Sequence, residues 1–120
     1  MAVSIKDLID KKEQIEAKKK ETFDLTTSIG VITAKKMTKA LMADIVDMQE
    51  GSDEYCVLNS VVEPNLKDPA LLQAYQCAEP TDIVRKLFDA GEISAIAVKI
   101  SKLSGYGKDI NAEVHKDLKN

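Results

Sequence analysis

Apolar and polar positions along the chain change period several times, and each change marks an element. Behind Ser4, Ile5, Leu8 and Ile9 recur at helical spacing, and Ile15 continues that face only in part. Ser4 suits an N-cap, with Asp7 three residues on as a weak form of the capping box. The segment closes on KKEQIEAKKK, Lys11 to Lys20, whose five lysines against two glutamates suit the negative end of a helix dipole. The pattern thus predicts an N-terminal helix or arm over residues 1–20. From Glu21 the period shortens to two: Phe23 and Leu25 alternate with Thr22, Asp24 and Thr26, as in a half-buried strand. Thr27-Ser28-Ile29-Gly30 supplies a turn and Val31-Ile32-Thr33-Ala34 a β-branched return. A β-hairpin is expected over residues 21–36. Alone it would be marginal in water, so it must pack on helices or extend another sheet, and its free edges can pair with a second chain.

Thr38 caps the next predicted helix, Lys39 to about Gln49, where Leu41, Ile45 and Met48 face a core. Met37, Met42 and Met48 cluster here, and methionine serves both irregular cores and adaptable interfaces. Glu50-Gly51-Ser52-Asp53 breaks the helix, with Gly51 suited to a left-handed cap. Tyr55, Leu58 and Val62 predict a short helix, although Tyr55-Cys56-Val57-Leu58 would also serve a strand; Pro64 ends it. Asp68-Pro69 opens a helix carrying Leu71, Leu72 and Tyr75. Glu79-Pro80-Thr81-Asp82 opens another, with Ile83, Val84, Leu87 and Phe88 on one face and Gly91 as its stop. Glu92 to Ser104 gives the cleanest helical stripe: Ile93, Ile96, Ile100 and Leu103, flanked by Ala95 and Ala97 and closed by Gly105.

These elements predict a mainly α fold, a small helical domain of about five helices with one β-hairpin near the N-terminus. Residues 37–105 form its helical core, to which the last two helices contribute most, and residues 106–120 a polar tail, either a short helix from Asp109 or disordered. At 120 residues the chain fits one domain. Lys plus Arg number 17 against 20 Asp plus Glu, a net charge of −3, which disfavours a general nucleic-acid binder. No apolar run approaches the roughly 18 residues of a membrane span, and the N-terminus lacks a signal peptide, so a cytoplasmic location is expected.

The catalytic inventory is poor. Cys56 and Cys77 form no Cys-x-x-Cys pair, and the single histidine, His115, lies in the polar tail, so neither a metal site nor a thiol nucleophile is expected. The five glycines are scattered, without a phosphate loop. Carboxylate pairs such as Asp44/Asp47 read as solvated charges. With no tryptophan and 4% aromatics, base-stacking platforms are missing. No cofactor and no enzymatic activity are expected; binding to another macromolecule is the default.

One combination of motifs goes further. Ser60-Val61-Val62-Glu63-Pro64-Asn65-Leu66-Lys67-Asp68, followed by Leu71-Leu72 and Ala74-Tyr75, resembles the signature of the XkdN-like tail assembly chaperones of contractile-tailed phages and prophages of Gram-positive bacteria. Glu79 to Val84, Phe88, Gly91-Glu92-Ile93 and Ser104-Gly105-Tyr106-Gly107 fit the same pattern, as does the hairpin leading into Lys36-Met37-Thr38. The similarity covers roughly residues 22 to 107.

The resemblance implies a non-catalytic protein of the host bacterial cytoplasm that binds and solubilises the tape measure protein and assists assembly of the tail tube protein. Exposed apolar grooves between short helices would serve such a holdase. Val61, Val62, Leu66, Leu71, Tyr75, Ile83, Leu87 and Phe88 are the expected client-binding residues, each with core packing as the competing role. Self-association is compatible with the free hairpin edges and the methionines. The alternative is a small helical regulator or adaptor of a bacterial or phage complex, touching nucleic acid through Lys11 to Lys20.

Overall fold

The computed structural model describes residues 2–116. Met1 and the last four residues of the expected polar tail, 117–120, lie outside the described residues. The chain begins with two short helices, α1 (Ile5–Asp10) and α2 (Lys12–Lys19), separated at Lys11. Ser4 caps α1 reciprocally: its hydroxyl accepts from Asp7 N at 3.0 Å, and the Asp7 carboxylate accepts from Ser4 N at 3.2 Å. Strands β1 (Thr22–Thr27) and β2 (Gly30–Lys35) form the expected hairpin, with Phe23 opposite Ala34 and Leu25 opposite Ile32. These four point inward while Thr22, Asp24 and Thr26 point outward, so the two-residue period chose the buried face.

The mainly helical expectation of about five helices and one hairpin is corrected here. Among the described residues there are seven helices, and the hairpin is completed to a three-stranded antiparallel sheet in the order β1-β2-β3. The third strand, β3 (Val61–Glu63), pairs Val61 with Ala34 and Glu63 with Thr33 across a register shift. It follows directly on α4 (Ser52–Ser60), so the helix predicted toward Val62 gives way to extended chain before Pro64 is reached. Three residues are too few to show alternation; their pairing with β2 decides their conformation.

Helix α3 (Lys39–Val46) starts where Thr38 Oγ1 accepts from Leu41 N at 3.1 Å, and ends three residues earlier than the apolar stripe suggested. Gly51 is left-handed, with φ +76°, but as the residue before α4. Asp68 caps α5 (Pro69–Ala74), its carboxylate accepting from Ala70 N at 2.8 Å and Leu71 N at 3.3 Å. Helix α6 (Asp82–Leu87) stops at Phe88, which is extended, and not at Gly91. Gly91 lies inside the first turn of α7 (Ala90–Leu103), the longest helix. Three residues of the expected stripe, Ile93, Ile96 and Ile100, are buried together with the flanking Ala97, while the fourth, Leu103, is only half-buried. Residues 108–116 adopt no regular secondary structure.

The core lies between the sheet's inner face and α4, α6 and α7. Ile32 and Ala34 from β2 meet Cys56, Val57 and Leu58 of α4, Ile83 and Val84 of α6, and the isoleucines of α7. Two polar clamps hold the hairpin on α7. The Glu92 carboxylate accepts from Ser28 N at 2.8 Å and from Ser28 Oγ at 2.5 Å, and the Ser104 hydroxyl accepts from Met37 N at 2.7 Å. The hairpin is thereby fixed at both ends of one helix.

The arm is different. Every described residue up to Thr22 is exposed, and neither α1 nor α2 packs extensively on another element. The radius of gyration, 19.0 Å, exceeds the roughly 14 Å of a compact chain this long, and the long axis reaches 70 Å against 30 and 24 Å.

Candidate functional site

Helices α3, α4 and α7 converge without closing. Met37, at the exit of the hairpin, and Met42 and Ile45 of α3 form one wall of the opening. Cys56 and Asp53 of α4 lie at its base, and Ala97, Val98 and Ser101 of α7 face them across it. Tyr106 and Gly107 close one end. The result is an open groove of about 360 Å³, lined mainly by apolar atoms. Ala97 is buried, while Val98 beside it, also on the groove, stays 52% exposed. Two methionines on one wall let the groove adapt its outline, because an unbranched thioether chain repacks at low cost.

The groove's flank is acidic. From α3 into the first turn of α4 the chain carries Asp44, Asp47, Glu50, Asp53 and Glu54, while Lys102 of α7 is the one lysine that lines the groove. Glu54 is bridged from α6 by Arg85 Nε at 2.8 Å; that hydrogen bond, then the charge of Glu54, raises the guanidinium above its ordinary value. Asp53 accepts from Ser94 Oγ at 3.0 Å. Asp44, Asp47 and Glu50 are exposed. At the base, burial pushes the Cys56 thiol up, and the Asp53 charge adds to the rise; the Ser60 hydroxyl one turn on offsets part of it. Burial thus favours the neutral thiol form of Cys56. Among the described residues no group of three or more His, Cys, Asp or Glu could hold a metal ion. No helix among them is long and apolar enough to cross a membrane.

The eight residues expected from the sequence to meet a client are placed elsewhere, and the structure divides them. Val61, Leu66, Ile83 and Phe88 are buried, Ile83 completely, and belong to the central cluster. Leu71 and Leu87 are half-buried against that cluster. Val62 and Tyr75 are exposed. None of the eight lines the groove. Sequence reasoning passed over the groove itself, although the clustered Met37 and Met42 were its visible signal. Ile45, Val98 and Tyr106 join those two only through the packing of α3 on α4 and α4 on α7, which periodicity does not report.

A family model, the Phage XkdN-like tail assembly chaperone protein, matches residues 18–119 and so leaves α1 and most of α2 ahead of the matched segment. No curated protein and no solved structure matches.

Proposed function

The chain belongs to the XkdN-like phage tail assembly chaperones, and we propose that it acts without catalysis, by holding apolar helical segments of the tape measure protein in the groove between α3, α4 and α7. The observation that carries this reading is the open, methionine-walled groove with an exposed Val98 on its rim. An amphipathic client helix laid there would bury its apolar face against Met37, Met42, Ile45 and Tyr106. The acidic flank favours a client whose polar face carries lysine or arginine. A holdase must accept many segments of one long helical protein, and side chains that repack suit that task better than a rigid pocket. Val62, Leu71, Tyr75 and Leu87, away from the groove, offer the client a second contact. Val61, Leu66, Ile83 and Phe88 act through the core on which that contact rests. Tube subunits are recruited while the client is held, all within the host cytoplasm.

Co-expression with the tape measure protein of the same phage tests the reading. The expected result is a soluble complex that co-purifies with the chain and is lost in Val98→Asp. A tape measure protein that stays insoluble, or that is captured equally by Val98→Asp, would overturn it.

A further inference from the structure

Most of the N-terminal arm lies ahead of the family segment, and it presents an apolar face that no other described residue covers. Ile5 is 74% and Ile9 68% exposed, with Leu8 beside them on the same face. Helices of six and eight residues are marginal in water without a partner, because nucleation is unfavourable and few hydrogen bonds follow it. We infer that the arm of one copy docks its Ile5, Leu8 and Ile9 face into the Met42, Ile45 and Val98 groove of a second copy.

Two further observations select this occupant. The first is charge. The second half of the arm, Lys11 to Lys20, holds five lysines against two glutamates, whereas the α3–α4 side of the groove carries Asp44, Asp47, Glu50 and Asp53, against one lining lysine, Lys102 of α7. The arm is therefore the complement of the groove in both its apolar face and its charge. The second is position. Lys36 Nζ donates to the carbonyl of Lys18 at 2.5 Å and fixes the root of α2, and from there the arm leaves the body with every residue exposed. That root borders a hollow lined also by Lys102, Tyr106 and Gly107, residues that close one end of the groove. A root beside the groove's mouth and an arm directed outward let two copies exchange arms about one two-fold axis. Each copy then gives an arm and receives one, so the contact closes at a dimer.

The inference shares the groove with the client reading but not its partner, so it is tested on the purified full chain alone. Sedimentation equilibrium should show a dimer that weakens as salt is raised from about 0.1 to 1 M, since screening shortens from roughly 10 to 3 Å. Ile5→Asp with Ile9→Asp, on an arm that touches no core, should weaken dimerisation at least tenfold with unchanged circular dichroism of the body; Val98→Asp should do the same. A synthetic peptide of residues 2–20, added to the arm variant, should shift the amide resonances of Met42, Ile45 and Val98. A wild-type chain that stays monomeric, a dimer indifferent to Val98→Asp with its fold intact, or a peptide that leaves the groove resonances unmoved would each overturn the inference. The arm variant keeps the groove, so its capture of the tape measure protein reports on the client reading separately.

Discussion

Ser104 and Met37, 67 positions apart in sequence, are joined by a 2.7 Å hydrogen bond from the Met37 backbone N–H to the Ser104 hydroxyl. The same hydroxyl donates to the Ile100 carbonyl at 2.6 Å. One side chain thereby ties the exit of the hairpin to the last turn of the longest helix and sets where Met37 enters the groove. Ser104→Ala leaves the partly buried N–H without its acceptor and should cost about 1–3 kcal/mol in urea unfolding. A loss below about 0.3 kcal/mol would mean that water replaces the hydroxyl freely.

Ile96 occupies the middle of the inner face of α7 and is buried against the sheet. Ile96→Ala removes three carbons from a packed site and should lower stability by about 2–5 kcal/mol, measured by denaturant midpoint at constant slope. Ala95, next to it in sequence but exposed, provides the control: Ala95→Ser should change stability by less than about 0.5 kcal/mol.

The cap on α5 carries two bonds from one carboxylate oxygen, to Ala70 N and Leu71 N. Asp68→Ala should cost about 0.5–2 kcal/mol. Asp68→Asn keeps an acceptor in place and should recover most of that loss. Amide exchange at Ala70 and Leu71 should quicken in the alanine variant before it does elsewhere.

Burial raises the Cys56 thiol above its ordinary value of 9.0, while the unfolded thiol stays at that value. Below pH 9.0 both states hold the proton and this group leaves stability unaffected by pH. Above it the unfolded chain ionises first, so stability falls as pH rises toward the folded value. Thermal unfolding should therefore decline more steeply above that pH in the wild type than in Cys56→Ala. In the native protein a thiol reagent should label the partly exposed Cys77 first and reach Cys56 only on unfolding.

Local chemistry made much of the fold legible. Ser4, Thr38 and Asp68 cap the helices that the sequence assigns to them, because a side-chain oxygen and the N–H groups ahead of it lie within four residues. The isoleucine stripe of α7 and the alternation of β1 were legible for the same reason. What depends on distant partners was not. Val61 to Glu63 become a strand only because Ala34 and Thr33 are there to receive them, and Gly91 enters a helix because the turn at Phe88 and Asp89 precedes it. The eight residues expected to meet a client came from two stretches, 61–75 and 83–88, which mix core-forming Leu66 and Ile83 with exposed Val62 and Tyr75. The groove draws Met42, Val98 and Tyr106 from three separate stretches of chain, and no local pattern joins them.

Strand β1, six residues long and first in the sheet's order, leaves one row of backbone amides and carbonyls without a neighbour. Such a row invites stray chains to zip onto it and seed aggregates. Its defences are local: Thr22, Asp24 and Thr26 face outward, Thr33 Oγ1 donates to Asp24 Oδ1 at 2.8 Å across the pair, and Lys18, Lys19 and Lys20 stand just upstream. An assembly chaperone must itself avoid clumping, and this strand meets that demand with a few threonines and charges.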